Sequence, residues 1–319
     1  MISHVTGPVA DGLYVCGLTW SPVYLLESAV PVLFEAGFSC AANLYEKDIQ
    51  RVLRGREPGV LFITHGHWDH CGTAAFLKHR FAGLRIAASP DTGAILSRAG
   101  VRKVMTTLGA TVIPTLRALL SEADAASLVD QPFQPFHLDM QLIDGESIGV
   151  TADLTVQVLA TPGHTRDHLS FYIPERRMLF GGEAAGCLEP MGGITPEFLV
   201  DYDGYVRSLR RLKELPVDIY CLAHHYVLVG SDAVKKFLSK SLETTERFAD
   251  RLYALLDEEG DDMDRVLQRL TGEYRVTNPG LQQPVEAYLL NLRAQLTYLY
   301  ERRKKGRFSK SSHVGDFST

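Results

Sequence analysis

The stretch ITHGHWDHCG at 63–72 constrains this chain more than any other feature, because it sets three histidines and an aspartate between His65 and His70, directly after the apolar run GVLFIT. A short unbroken apolar run bounded by turn residues is the pattern of a buried strand, so the cluster falls where a strand gives way to a loop. In such a loop, residues two apart can point the same way, which lets His65 and His67 reach one ion. Asp69 and His70 follow on the turn into a helix and can serve a neighbouring ion. Imidazole with carboxylate suits zinc, iron, manganese or nickel and not calcium or magnesium. A solvated turn with chance histidines is the ordinary alternative, and the rest of the chain decides between the two.

Three later stretches supply what a two-metal site still needs. ATPGHTRDHLSFY puts His164 on a Pro-Gly turn after an apolar segment, MLFGGEAAG puts Glu183 just past two glycines, and YCLAHHYVLVG puts His224 and His225 at the end of another apolar segment. A single strand-end histidine is more often structural than ligating. Four such stretches at the same architectural location favour metal.

The remaining pattern bounds the fold. The segments GLYVCG, PVYLLES and PVLFEAG read as an antiparallel meander. Residues 43–54 read as a helix with Leu44, Ile49, Val52 and Leu53 near one face and Asn43 as its cap. Helical segments fill 91–130, as AILSRAGVRKVMTTLG and TLRALLSEADAASLV, and read as an insertion between sheet elements. Strands resume from ESIGV onward, and beyond Ser231 the chain reads as helical to about residue 305, with turns at Gly260, Pro279 and Gly280. The expected organisation is a catalytic domain over 1–230, a helical subdomain over 231–305 and a flexible basic tail over 306–319. Strand-rich halves interleaved with helices predict two sheets covered by helices on their outer faces, with functional groups on loops at one rim.

Composition serves mainly to exclude. The 319 residues carry a net charge of -5, and the basic stretch ERRKKGRFSK lies near the end of the chain, so nucleic acid is not an expected partner. No segment approaches the roughly 18 apolar residues of a membrane helix, and the amino terminus has no secretory pattern. Five scattered cysteines, with no C-x-x-C pair, argue against a disulfide framework and fit a cytoplasmic setting. A small-molecule substrate is the expected partner, and a homo-oligomer is compatible with the sequence.

Taken in order, His65-x-His67-x-Asp69-His70, Thr161-Pro162-Gly163-His164, Gly182-Glu183 and His224 resemble the motif series of the metallo-β-lactamase superfamily over roughly residues 10–230. The resemblance implies an α/β fold, a four-layer αβ/βα sandwich, with two divalent metal ions per chain, zinc first and iron or manganese as alternatives. It implies His65, His67 and His164 on the first ion, and Asp69, His70 and His224 on the second. Glu183 takes the bridging position. ITHGHWDHCG, FEAGFS and the helical carboxyl end are also similar to the quinolone-signal response thioesterase group.

The sequence departs from the family pattern at three points. The bridging residue is usually Asp and here is Glu183, whose extra methylene moves the carboxylate outward by about 1.3 Å. The family's Gly-His-Gly appears as Ala223-His224-His225, which leaves His224 or His225 as the ligand, with position favouring His224. Glu35 stands where the family has Asp after its third strand, placed to hydrogen-bond a ligand histidine. His168 and Tyr226 are further candidates, for orienting the loop or touching substrate.

The chemistry these residues predict is hydrolysis by a metal-bound hydroxide, with Asp69 as the catalytic residue that orients it and passes a proton to the leaving group. Leu, Ala, Val and Met dominate the inward faces of the helices that wall the site. That favours an ester, thioester or lactone with an apolar group. Two other classes fit the same residues: an iron-dependent redox enzyme of the persulfide dioxygenase kind, and a metal-retaining regulatory or ligand-binding protein.

Overall fold

The computed structural model describes residues 2–3, 5–189, 192–277 and 285–311. Its organisation follows from side-chain alternation. In the first sheet Val15, Tyr24, Val32, Phe34, Val60 and Phe62 point into one core, while Val23, Leu25, Leu33, Leu61, Ile63 and Ile86 point into another. In the second sheet Val156, Val158, Phe171, Met178, Phe180 and Cys221 join the first of those cores, while Leu159, Tyr172, Leu179, Tyr220 and Leu222 face a third. Successive residues of a strand point to opposite faces, so a chain apolar on both faces of both sheets needs three cores and therefore four layers. The core between the sheets is aromatic at its centre, where Phe34 of the first sheet stacks on Phe180 of the second with ring centroids 3.6 Å apart.

The first sheet runs in the order 7–10, 13–16, 23–26, 32–34, 60–62, 85–88 and 140–141. Its early strands pair antiparallel, and from Val32–Phe34 onward the pairing is parallel. The second sheet runs 2–3, 227–229, 219–222, 178–182, 169–173, 154–160 and 147–151. Within it Met178–Gly182 lies parallel to Ile219–Leu222 and antiparallel to Leu169–Ile173.

The outer layer of the first sheet holds α1 (Ala42–Leu53), α2 (Ala74–Arg80), α3 (Pro90–Leu96), α4 (Ala99–Leu119) and α5 (Glu122–Ala126). Helix α1 buries Leu44, Ile49 and Leu53 as its periodicity predicts, but Asn43 is not its cap. A short 3-10 turn at Ser39–Ala41 leads directly into the helix, and the Asn43 amide instead donates to the Ser127 carbonyl. Helices α3 to α5 lie between Arg85–Ala88 and Met140–Gln141, and the breaks between them fall elsewhere than the sequence predicts. Helix α4 passes through Pro114, because burial of Val112, Ile113 and Leu116 around it offsets the roughly 3 kcal/mol that an interior proline costs.

The outer layer of the second sheet holds α6 (Tyr202–Lys213), α7 (Ser231–Glu258), α8 (Met263–Thr277) and α9 (Val285–Ser311). Leu252, Leu255, Leu296 and Leu299 from this carboxyl-terminal part share one core with Tyr205 and Leu209 of α6 and Tyr220 of the sheet. Helix α9 continues to Ser311, into the stretch read as a tail, and 312–319 lie outside the described residues, as does the turn at Pro279 and Gly280. Among the described residues no helix is long and apolar enough to cross a membrane.

Candidate metal centre

Every predicted ligand sits just beyond the carboxyl end of a strand. Val60–Phe62 leads into the histidine loop, Leu154–Ala160 into His164, Met178–Gly182 into Glu183 and Ile219–Leu222 into His224. The two sheets bring these ends to one rim. Ligand atoms of His65, His67, His164 and Glu183 lie within 4.8 Å of one another, and so do those of Asp69, His70 and His224. Of the two histidines at 224 and 225, the structure brings His224 to the cluster. His225, at φ 62°, stacks instead on the Trp20 ring.

Hydrogen bonds behind the rings decide which nitrogen faces the centre. Thr64 Oγ1 donates its only proton to Glu35 Oε1 at 2.6 Å, so at 3.0 Å from His65 Nδ1 it accepts, and His65 Nε2 carries a bare lone pair. His164 Nδ1 donates to the Glu197 carbonyl at 2.6 Å, and His224 Nδ1 to the Trp20 carbonyl at 2.5 Å. Glu35 Oε1 also stands 3.4 Å from His70 Nδ1, a carboxylate behind an imidazole of the kind that orients metal ligands.

Glu183 occupies the middle. Its Oε2 lies 2.6 Å from His164 Nε2, 3.3 Å from His65 Nε2 and 3.6 Å from His70 Nε2, and its Oε1 lies 3.3 Å from His224 Nε2. The extra methylene thus leaves the carboxylate between both groups. His168, a candidate for orienting the loop or touching substrate, has both ring nitrogens engaged in the loop. Its Nε2 accepts from the Glu183 backbone N–H at 3.1 Å, and its Nδ1 donates to Thr161 Oγ1 at 2.8 Å. Only glycine fits at 182, where φ is +51° and a Cβ would stand 2.5 Å from His168 Nε2.

Burial and mutual contact shift the ionisable groups of the centre in opposite directions. Burial first, then the neighbouring imidazoles of His70 and His67, push His65 well below the usual histidine range and keep it neutral. Burial pulls on His70 too, but the carboxylates of Asp69, Glu35 and Glu183 together raise it to about 10. Burial opposes ionisation of Glu183, yet His164, with His224 and His65, holds it well below the usual carboxylate range. The Nε2 atoms of His65 and His70 are buried without a hydrogen-bond partner. The bare lone pair of His65 Nε2 and the imidazoles of His70, His164 and His224, all converging on one carboxylate, form a donor set that fits divalent ions of the zinc, iron or manganese kind.

Other side chains near the centre complete the frame. Tyr226 is half-buried against the carboxyl-terminal core. Helix α9 reaches the loop behind His164, where the Asn291 amide donates to Glu197 Oε2 at 3.2 Å and the Gln295 amide to the Pro196 carbonyl at 2.6 Å. Sequence reasoning gave Thr64 and Thr161 no role of their own, although one directly precedes His65 and the other opens the stretch that ends in His164. It also set Cys187 aside among the scattered cysteines, whereas its Sγ lies 3.9 Å from Glu183 Oε1.

A family profile described as the metallo-beta-lactamase superfamily matches residues 21–224. Hydroxyacylglutathione hydrolase from Rhodopseudomonas palustris is 30% identical over 171 residues, which is 52% of this chain and 48% of that protein. The Pseudomonas putida enzyme of the same name is 30% identical over 191 residues, 56% of this chain and 63% of that protein. The chain thus spans about half the length of the curated relatives it matches. Among solved structures, a metallo-beta-lactamase family protein from Thermus thermophilus superposes with a TM-score of 0.58 at 19% identity, covering 94% of this chain and 95% of that one. An archaeal superfamily protein from Sulfolobus tokodaii gives 0.56 at 20% identity, covering 74% and 86%. At these identities the likeness is one of fold.

Proposed function

The chain belongs to the metallo-beta-lactamase superfamily, and from that premise we propose that it is a dinuclear metal-dependent hydrolase of an ester, thioester or lactone bearing an apolar group. The observation that carries this reading is the convergence of two histidine-rich groups on the single carboxylate of Glu183. His65, His67 and His164 would hold one ion, Asp69, His70 and His224 the other, and Glu183 would face both. Metal bound there would supply a water of lowered pKa and Lewis-acid polarisation of the substrate carbonyl.

The chain's own residues do the rest. Glu35 with Thr64, the Glu197 carbonyl and the Trp20 carbonyl lock four imidazoles before substrate arrives, so the barrier carries no cost for orienting them. Asp69 is the most exposed carboxylate of the cluster at 16%, and its Oδ2 lies 3.8 Å from both His70 Nε2 and His224 Nε2. It takes the proton of the attacking water and hands it to the leaving thiol or alcohol as the acyl bond breaks.

Two features support an acyl substrate with an apolar group. Trp68 lies within the histidine motif itself and stacks on Phe38 at 5.0 Å, and Trp20 meets Phe38 edge-on at 5.5 Å beside His225. That sets an aromatic cluster beside the loops that carry His67, Asp69 and His224. Moreover, the curated relatives are named for hydrolysis of a hydroxyacylglutathione, a thioester, which supports the acyl chemistry.

The test is a panel of an aryl ester, a long-chain lactone, an acyl thioester and an activated phosphodiester, offered to protein of measured metal content. Acyl substrates turn over faster than the phosphodiester, and a chelator abolishes the reaction until metal is restored. Absence of turnover on the whole panel with both sites loaded would sink the proposal in favour of a binding role. Oxygen uptake with glutathione persulfide by the iron-loaded protein would replace it with redox chemistry.

A further inference from the structure

Cys187 belongs to neither predicted ligand group, yet the chain delivers it to the centre. After Glu183 the backbone curls through a turn in which the Ala184 N–H donates to the Gly181 carbonyl at 3.2 Å and the Gly186 N–H to the Glu183 carbonyl at 3.3 Å. It re-emerges as the short strand Cys187–Leu188, paired antiparallel with Ile194–Thr195. Gly186 makes the return possible, since its φ is +76° and a Cβ there would stand 2.5 Å from the Thr195 carbonyl oxygen. The turn therefore folds residue 187 back over residue 183.

The result is a third group of donors. Ligand atoms of Glu183, Cys187 and His224 all lie within 4.8 Å of one another. Glu183 Oε1 is the shared atom, 3.9 Å from the thiol and 3.3 Å from His224 Nε2. A second observation bears on the same carboxylate. His70 Nε2, 99% buried and without a hydrogen-bond partner, lies 3.6 Å from its other oxygen, Oε2. The other four cysteines are buried, and Cys187 is the one that is not. Cys16, Cys40, Cys71 and Cys221 pack into apolar cores.

We propose that Cys187 is a thiolate ligand of the ion on the His224 side, an inference that rests on the dinuclear reading above. The sulfur–metal bond forms as the S–H bond breaks, and the proton leaves to solvent with no change of oxidation state. The two sites then differ in character. The His65, His67 and His164 side is a nitrogen and oxygen site, and the His224 side gains a soft donor that selects zinc and cadmium over manganese.

Cobalt(II) titration of the metal-free protein tests this without any assay of turnover. Metal analysis gives the stoichiometry, and near-ultraviolet absorption reports thiolate-to-cobalt charge transfer. Two cobalt ions per chain with a charge-transfer band are expected for the unaltered protein and for Cys71→Ala. Cys187→Ser is expected to lose the band and to bind the second ion at least about tenfold more weakly, the lower figure for losing even an orienting partner. Two bound ions with no band, or a band that survives in Cys187→Ser, overturns the thiolate and leaves the dinuclear reading standing. Failure of the unaltered protein to take up cobalt overturns both. Because the unaltered spectrum is decisive by itself, a Cys187→Ser variant that fails to fold does not rescue the proposal.

Discussion

The two halves of the centre are built by different means. His65, His67, Asp69 and His70 come from one loop after one strand, whereas His164, Glu183 and His224 come from three strand ends up to 60 positions apart, His164 to His224. The first half has its geometry set by local backbone. In the second, the sheet sets it: parallel pairing of Met178–Gly182 with Ile219–Leu222 puts Glu183 beside His224, and the turn after Leu154–Ala160 brings His164 across to them. The contrast teaches that a contiguous motif advertises a site, while sheet register completes it.

The largest effects are expected at the ligands. His67→Ala should abolish tight metal binding on its side together with activity. Glu183→Ala should release both ions, because its two oxygens face both groups. Losses of at least about 10²–10³ in turnover are expected for either, by analogy with removal of a transition-state-stabilising group. Metal analysis after gel filtration checks it, and a His67→Ala protein that retains two ions per chain would refute the ligand scheme.

Next comes the packing beneath the second half. Phe180→Ala removes the ring stacked on Phe34 between the sheets and should cost about 3–5 kcal/mol, read from urea unfolding. The residues behind the ligands give a smaller effect, one that separates the two halves. Glu35→Ala should weaken the contiguous half, through Thr64 and His70, and His168→Ala the dispersed half, through the Glu183 backbone. Each is expected to lower metal affinity by about 10–100-fold in competition with a chelator.

The smallest effect is on stability against pH. Burial raises Asp139, but the Lys78 ammonium and the Ile86 N–H outweigh it and hold the folded carboxyl below its usual value. A folded value below the unfolded one gives stability that is present above the unfolded pKa and lost as pH falls through the folded one. With the carboxylate about a third exposed, the contribution is at most about 1 kcal/mol. Asp139→Asn should therefore lower Tm slightly at neutral pH and not at strongly acid pH. Asp144→Asn, its counterpart in the turn that leads into the second sheet, with a more exposed side chain at 50%, should shift Tm less.

Legibility followed the same division. The histidine loop, the strand before it and the helix after it could be read locally, because strand and helix periodicities act over a few residues. Asn43 shows the limit even there: it has the chemistry of a cap, but a turn of 3-10 helix already supplies the start, and the side chain is used 84 residues away on Ser127. His168 is only a histidine near a histidine until the Glu183 N–H arrives against its ring. Cys187 gives no signal as a ligand, since its spacing from Glu183 becomes a contact only through the left-handed turn at Gly186.

By itself the sequence determined the four layers and the residue types of a metal centre, because alternation and donor chemistry are properties of short segments. Only the tertiary structure decided which of His224 and His225 turns inward, and where the longer carboxylate of Glu183 comes to rest. It also decided that a thiol stands beside that carboxylate. Those outcomes depend on distances between groups that sheet pairing alone brings within a few ångströms, and no local pattern encodes them.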